Sequence, residues 1–151
     1  MTITEPGIKA EHGHLQPDFV HFDDLDSMGT MHNSRYAVLL ERALTTFWAQ
    51  HGYTFRGGVP THPDAVVAVA AYSISYRVPV LGTGPILIHL WGETIGRTSA
   101  TYGFRFLSAD QMTVHAEGSR VHIRLDQQTL RPAPWAGPTL DIYRSLQQAS
   151  A

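Results

Sequence analysis

The feature that most constrains the fold is a single helical segment with a very broad apolar face. Apolar residues recur at helical spacing over residues 33–50, so other elements must surround this segment. Asn33 and Ser34 are suitable N-caps, because their side-chain oxygens can accept N–H groups of the first turn, and Gly52 favours a stop. The sequence therefore predicts a largely buried helix over residues 33–50.

Outside this helix the hydrophobic period is two, which is typical of β-strands. Strands are predicted over residues 19–23, 65–77, 86–95, 98–108 and 112–125. In the last of these the apolar phase changes at Gly118 and Ser119, which predicts a β-bulge. The most economical arrangement is an α+β single domain, in which an antiparallel sheet of five or six strands wraps around the central helix.

The chain has 151 residues, which suits one domain. We expect a flexible leader over residues 1–16, the folded domain over 17–135, and a tail over 136–151 with room for a short helix. The N-terminus has no apolar run typical of a signal peptide. The most apolar stretch, residues 65–76, is shorter than the ~20 residues of a membrane helix. These observations predict a cytoplasmic protein with no membrane partner.

Charge and composition exclude several classes of site. The net charge of -2 lacks the basic footprint of a nucleic-acid binder. The absence of cysteine excludes disulfides, thiolate zinc sites and cysteine nucleophiles. His12 and His14 are spaced two apart without a third ligand, so no metal site is predicted. Charged residues make up only 16%, below the usual ~25%, which indicates surface buried in an oligomer.

An acidic, glycine-bearing loop over residues 23–29 leads into the helix. A helix N-terminus presents unpaired N–H groups and the positive end of its dipole, so it can bind a carbonyl oxygen that becomes an oxyanion. Asp26 lies seven residues before Asn33, where it can place a carboxylate beside that carbonyl. This combination suits hydrolysis of an acyl ester. The alternative is that the aspartates only cap and turn the chain.

The loop and helix together resemble the hotdog-fold acyl-CoA thioesterases of the 4-hydroxybenzoyl-CoA thioesterase family. Those enzymes carry an Asp-x-Asp-x-x-Gly run, followed by Asn or His and then Tyr at the places that Asn33 and Tyr36 occupy here. The resemblance extends over about residues 17–134. It includes a Gly-x-Gly turn and the later segments Tyr76-Arg77-x-Pro79, Gly96-Arg97-Thr98-Ser99 and Ala116–Gly118.

The resemblance implies hydrolysis of a thioester carried by coenzyme A or by an acyl carrier protein. Asp26 matches the catalytic aspartate, which acts as nucleophile or as base for water. The backbone N–H of Asn33 matches the group that polarises the thioester carbonyl. Some members have a catalytic histidine at the Asn33 position; here His32 stands one place earlier, and we expect it in the loop or the cleft wall. No metal or redox cofactor is implied.

The resemblance also implies substrate contacts outside these two residues. Gly29 belongs to the matching loop, and Tyr36 is expected to pack at the base of the cleft. The phosphates of coenzyme A are expected to contact residues near two strand ends, namely Arg77, Arg97, Thr98 and Ser99. The family's fold implies a homodimer, or a homotetramer built as a dimer of dimers, with the active sites at the boundary between subunits.

Two further acidic residues are interpreted as structural. Asp24 is expected to accept hydrogen bonds that hold the loop. Glu41 lies two turns into the helix, and related hotdog branches use a helix carboxylate for catalysis. Because Asp26 is present, we interpret Glu41 as a buried polar contact paired with an arginine.

Rival functions remain open at this stage. The same chemistry would release a biosynthetic chain from a polyketide or fatty-acyl carrier protein. A non-catalytic hotdog protein would bind acyl-CoA or an acyl chain without hydrolysis; the set Asp26, Gly29, Asn33 and Tyr36 argues against it. A hotdog dehydratase is disfavoured, since its Asp/His motif is not found in the sequence.

Overall fold

The computed structural model describes residues 12–147, in which a five-stranded antiparallel sheet packs against one long helix. The elements in chain order are β1 His14–Val20, α1 Arg35–Gln50, β2 Phe55–Arg56, β3 Val59–Pro60, β4 Val67–Tyr76, β5 Gly84–Ile95, β6 Ser99–Ser108, β7 Val114–Arg124 and α2 Gly137–Ser145. Short 3-10 turns occur at Phe22–Asp24 and Pro63–Ala65. The small strands β2 and β3 pair only with each other.

The strand order of the main sheet is β1-β5-β6-β7-β4, so β1 and β4 are its edges. Helix α1 buries one face against this sheet, and Leu39 and Leu40 have no exposed surface. Burial of a leucine side chain stabilises the fold by about 1.5–3 kcal/mol. The predicted antiparallel sheet around a buried helix is confirmed. The helix also ends as predicted, since Gly52 follows it with a φ of 88°.

The first strand lies earlier than predicted. It covers His14–Val20 rather than residues 19–23, so the last three residues of the predicted leader belong to β1. Residues 1–11 of that leader lie outside the described residues. Pro17 is compatible with β1 because an edge strand leaves one row of backbone groups unpaired. The strand stops where the Asp24 carboxylate accepts the His21 N–H and begins the turn at Phe22–Asp24.

The predicted bulge at Gly118 and Ser119 is wrong, because β7 pairs continuously with β4 there. The inward face of β7 instead keeps one phase throughout and includes two polar residues, Arg120 and His122. The glycine at 118 allows close approach of the strands, since a Cβ there would overlap the carbonyl oxygen of Ser73.

The C-terminal segment is held to the domain by a buried carboxylate. Asp64 accepts hydrogen bonds from the Ala136 N–H at 2.8 Å and from the Thr139 hydroxyl, and it pairs with the Arg124 guanidinium at 2.9 Å. Helix α2 follows directly and buries Tyr143. This short helix lies in the segment that the sequence assigned to the tail.

Candidate active site

Helix α1 begins two residues later than predicted, at Arg35, and its first turn is capped by a histidine. Neither Asn33 nor Ser34 provides the predicted cap, since the N-cap Ser34 makes no side-chain capping bond. Instead, Nδ1 of His32 accepts the Ser34 N–H at 3.0 Å, and the His32 carbonyl accepts the Arg35 N–H at 2.9 Å. The N–H of Asn33, just before the helix, has no hydrogen-bond partner within residues 12–147.

The loop before α1 is folded around the carboxylate of Asp26. One oxygen, Oδ1, accepts the backbone N–H groups of Met28 at 2.8 Å and Thr30 at 3.1 Å. The other oxygen, Oδ2, accepts the Thr30 hydroxyl at 2.7 Å. Gly29 allows this tight turn, since its φ of 78° is unfavourable for residues with a Cβ. Asp26 is therefore held in a single orientation by three donors.

The same contacts control the charge of Asp26. The hydrogen bond from the Thr30 hydroxyl, together with those from the N–H groups of Met28 and Thr30, lowers the pKa of Asp26 below its ordinary value. Hydrogen bonds to a carboxylate favour the ionised form. Asp26 is thus a carboxylate at neutral pH.

Asp24 holds the loop to the helix, in agreement with its structural interpretation. Its carboxylate is buried, accepts the His21 N–H at 2.9 Å and pairs with the Arg35 guanidinium at 2.8 Å. Burial raises the pKa of Asp24, but the His21 N–H and Arg35 outweigh burial, so the pKa lies below its ordinary value. This pair links the loop to the first residue of α1.

A cavity of about 430 Å³ opens between this loop, the start of α1 and the segment that follows β4. The residues that line it include five that the sequence predicted for the site, namely Asp26, His32, Asn33, Tyr36 and Arg77. Gly29 shapes the loop behind the cavity wall. The loop is joined to the opposite wall by hydrogen bonds from Met31 N–H to the Val80 carbonyl and from Gly82 N–H to the Gly29 carbonyl.

Tyr36 lies at the base of the cavity, where the sequence placed it. Its side chain is buried and makes edge-to-face contacts with Tyr76 and Phe106. Burial and the neighbouring Tyr76 raise the pKa of Tyr36, so its phenol stays protonated. Tyr36 thus provides a neutral, largely aromatic floor.

Residues 20–141, most of the chain, match the sequence profile of the thioesterase-like superfamily. The chain belongs to the thioesterase-like superfamily. No curated protein matches this thioesterase-like chain. Solved structures that share between 14% and 23% sequence identity with this chain establish its fold.

PA5185 from Pseudomonas aeruginosa strain PAO1 is 23% identical with a TM-score of 0.82, and the match covers 93% of this chain and 95% of that one. Slr0204, a 1,4-dihydroxy-2-naphthoyl-CoA thioesterase from Synechocystis, is 14% identical with a TM-score of 0.76. The match covers 87% of this chain and 96% of Slr0204. A thioesterase from Thermus thermophilus, complexed with coenzyme A and Zn, is 20% identical with a TM-score of 0.72. The match covers 88% of this chain and 93% of the Thermus protein. The predicted hotdog fold is confirmed.

Two residues of the candidate site were not predicted from the sequence. Thr30 donates a hydrogen bond from its hydroxyl to the Asp26 carboxylate. The only feature of the sequence that could have indicated this contact is the spacing of four residues between Asp26 and Thr30. Tyr76 lines the cavity and donates its hydroxyl to the Asn33 carbonyl at 3.3 Å. Tyr76 lay in a segment that matched the resemblance, but nothing local placed its hydroxyl beside α1.

The predicted phosphate contacts do not lie together. Arg77 is exposed at the rim of the cavity, 3.6 Å from the Glu117 carboxylate. Arg97, Thr98 and Ser99 lie beyond the far end of β5, whose twelve residues span roughly 35 Å. There the carbonyls of Arg97 and Ser99 accept the backbone and indole N–H groups of Trp135. A phosphate role for these three residues stays a prediction.

Glu41 pairs with an arginine as expected, but the two partners differ in burial. The carboxylate of Glu41 is mostly exposed, whereas the guanidinium of its partner Arg120 is buried. The expectation of a buried glutamate is therefore wrong, because the exposed face of α1 carries Glu41 and the inward face of β7 carries Arg120.

Residues 12–147 of the thioesterase-like chain contain neither a metal-binding cluster nor a membrane-spanning helix. No three histidine, aspartate or glutamate side chains lie close enough there to hold a metal ion. Neither helix in that part of the chain is long and apolar enough to cross a membrane.

Proposed function

We propose that the protein hydrolyses an acyl thioester of coenzyme A or of an acyl carrier protein, with Asp26 and the Asn33 N–H as its catalytic groups. One observation carries the proposal: an oriented, ionised carboxylate and an unpartnered backbone N–H line the same cavity within residues 12–147. A carboxylate supplies the nucleophile or base, and a fixed N–H supplies the oxyanion contact that acyl transfer needs.

The reaction follows from these two groups. The thioester carbonyl oxygen accepts the Asn33 N–H, which makes the carbonyl carbon more electrophilic. The Asp26 carboxylate either attacks that carbon to give a mixed anhydride, which water then hydrolyses, or takes a proton from a water that attacks directly. In both cases the C–S bond breaks, the thiolate leaves and takes up a proton, and the acid is released.

Coenzyme A is the carrier that we favour for the substrate. The Thermus thermophilus relative was solved with coenzyme A, and the Synechocystis relative is a naphthoyl-CoA thioesterase. The exposed guanidinium of Arg77 at the cavity rim supports this choice, because a guanidinium binds phosphate oxygens strongly. Membership of the narrower 4-hydroxybenzoyl-CoA thioesterase family is part of this proposal.

A screen of acyl-CoA substrates tests the proposed activity. Aromatic, short-chain and long-chain acyl-CoAs are incubated with the purified protein, and the released thiol is measured. We expect hydrolysis of at least one class. Calorimetric binding of the same acyl-CoAs without release of thiol would contradict the proposal and favour a non-catalytic acyl-binding protein.

We also propose that the protein forms a homodimer, or a tetramer built from two such dimers, through strand β4. This ten-residue strand pairs with β7 on one side and, within residues 12–147, has no partner on the other. Val69, Tyr72 and Tyr76 on β4 are between 38% and 52% exposed. A long apolar edge is a template for pairing with another strand, and a second copy provides one.

The oligomer is tested by light scattering at micromolar concentration, where we expect at least a dimer mass. Ala70 lies at the register shift between Val69 and Ala71. Because Ala70 has no register partner on β7, proline at 70 interrupts the strand edge with little loss of pairing to β7, so Ala70→Pro is expected to shift the mass toward the monomer. Ala70→Ser serves as the control. A monomeric wild-type protein would show the dimer proposal to be incorrect.

A further inference from the structure

The side of the main sheet opposite α1, here called the outer face, is formed by alternate residues of each strand, from Trp91 on β5 to Ser73 on β4. An antiparallel sheet with one face in water usually presents polar and charged side chains there. Among the paired residues of the five strands that the structure describes, only Arg105 and Glu117 place a charged side chain on this face. Glu93 is unpaired, because it lies in the bulge of β5. The outer face therefore lacks the usual composition of a solvated sheet.

The half of the outer face that β4, β6 and β7 form is made of small or apolar side chains. Its members are Ala71, Ser73, Thr101, Gly103, Ser119 and Val121. Ala71 and Ser73 are exposed, and Ser119 and Val121 are half-buried. Charged residues are depleted in the same way at the centre of protein interfaces. Small side chains also let a second surface approach the sheet closely.

The other half of the outer face carries two side chains of the types that dominate interface energetics. The ring of Trp91 on β5 packs on Gly103 of β6, where a Cβ would overlap the ring. The guanidinium of Arg105 lies over Trp91, with Cζ 4.9 Å from the ring centroid. Tryptophan and arginine are enriched among the residues that contribute most to binding. Trp91 and Arg105 are therefore candidate anchors of a contact.

The two charges of the outer face are arranged so that two copies of the chain complement each other. Arg105 on β6 and Glu117 on β7 are register partners, so a basic and an acidic group lie side by side. Sheets that pack face to face keep their strands within about 30° of each other. A twofold axis along the strands, between β6 and β7, therefore places Arg105 of each copy opposite Glu117 of the other.

We propose that the outer face is an interface between two copies of this chain, through which two β4-paired dimers join face to face as a tetramer. Five strands of ten or so residues give a face of roughly 24 Å by 33 Å, or about 800 Å². Each partner in a stable complex typically buries about 800 Å². The proposal goes beyond the β4 dimer by naming a second contact, and it does not depend on thioester hydrolysis.

Light scattering on the protein without substrate tests this interface. We expect the wild-type protein to have the mass of a tetramer at micromolar concentration. Val121→Glu places an unpaired charge on the outer face and is expected to give a dimer, because burial of such a charge is costly. Thr46→Glu is the matched control, since Thr46 is exposed on α1, in the opposite layer. A tetramer lost in Thr46→Glu but kept in Val121→Glu would overturn the proposal and assign the contact to the helix.

Charge reversal tests the twofold arrangement. Arg105→Glu brings acidic groups of the two copies together and should also give a dimer. Arg105→Glu combined with Glu117→Arg restores opposite charges, so the tetramer should return at least in part. A double variant no more associated than Arg105→Glu would overturn this arrangement.

The two proposed interfaces are separated by combining their variants. Ala70→Pro alone should leave a dimer held by the outer face, whereas Ala70→Pro with Val121→Glu should be monomeric. Circular dichroism shows whether each variant is folded, and Ser119→Arg replaces Val121→Glu if that variant does not fold. A wild-type protein that stays dimeric would overturn the proposal. A lower melting temperature of Val121→Glu at unchanged mass would also overturn it, since another part of the same chain would then cover the face.

Discussion

Replacement of Asp26 by asparagine is expected to lower kcat by a factor of at least about 100, with the melting temperature little changed. The asparagine Oδ1 can still accept the N–H groups of Met28 and Thr30. Its Nδ2 can donate to the Thr30 hydroxyl, which now accepts. The loop therefore keeps its shape, whereas the negative charge that attacks the thioester or activates water is lost.

Steady-state kinetics and thermal unfolding on one preparation measure both effects. Loss of stability with normal turnover would mean that Asp26 only caps the loop. Substrate binding should survive in Asp26→Asn, because the Asn33 N–H and the cavity remain. A folded Asp26→Asn protein with wild-type turnover would end the proposed mechanism.

The pH profile of the wild-type enzyme follows from the lowered pKa of Asp26. Because the ionised carboxylate is the active form, kcat/KM should fall only when the pH drops below the ordinary carboxyl pKa of about 3.9. Thr30→Val removes the largest contribution to this lowering. The acid limb of the mutant's profile should therefore move to higher pH, which a purely structural role for Thr30 would not cause.

The central part of the fold could be predicted because it depends on local patterns. The breadth of the apolar face of α1 required a surrounding sheet, and the period of two identified its strands. The position of β1 and the phase of β7 were not predictable in this way. Arg120 lies on the inward face of β7 although it is charged, and its partner Glu41 is distant in sequence. Pro17 lies in a strand because β1 is an edge.

The candidate site was likewise predictable only where its residues lie close together in the chain. Asp26, Asn33 and Tyr36 follow one another closely in the chain, and the structure brings them to one cavity. Arg97, Thr98 and Ser99 lie at the opposite end of the sheet, because β5 runs away from the Asp26 loop before β6 returns. The cap from His32 could not be read from the sequence, since asparagine and serine are the commoner caps.

The second large effect on kcat is expected when the backbone N–H of Asn33 is removed. Asn33→Pro removes the N–H that we assign to the developing oxyanion, and loss of one such donor commonly lowers kcat by about 100- to 1000-fold. Proline removes no hydrogen bond of the folded protein here, because this N–H has no partner within residues 12–147. The Asn33 carbonyl, which accepts the Tyr76 hydroxyl, is retained.

Asn33→Ala is the matched control, since it removes the side chain but keeps the N–H. Its kcat should stay within a few-fold of wild type if the backbone group acts, whereas a catalytic amide side chain would make it as slow as Asn33→Pro. Circular dichroism and thermal unfolding establish that each variant is folded, because proline also restricts the preceding His32. A folded Asn33→Pro enzyme with wild-type kcat would exclude this N–H as the oxyanion donor, and Asp26 would then require another group to polarise the carbonyl.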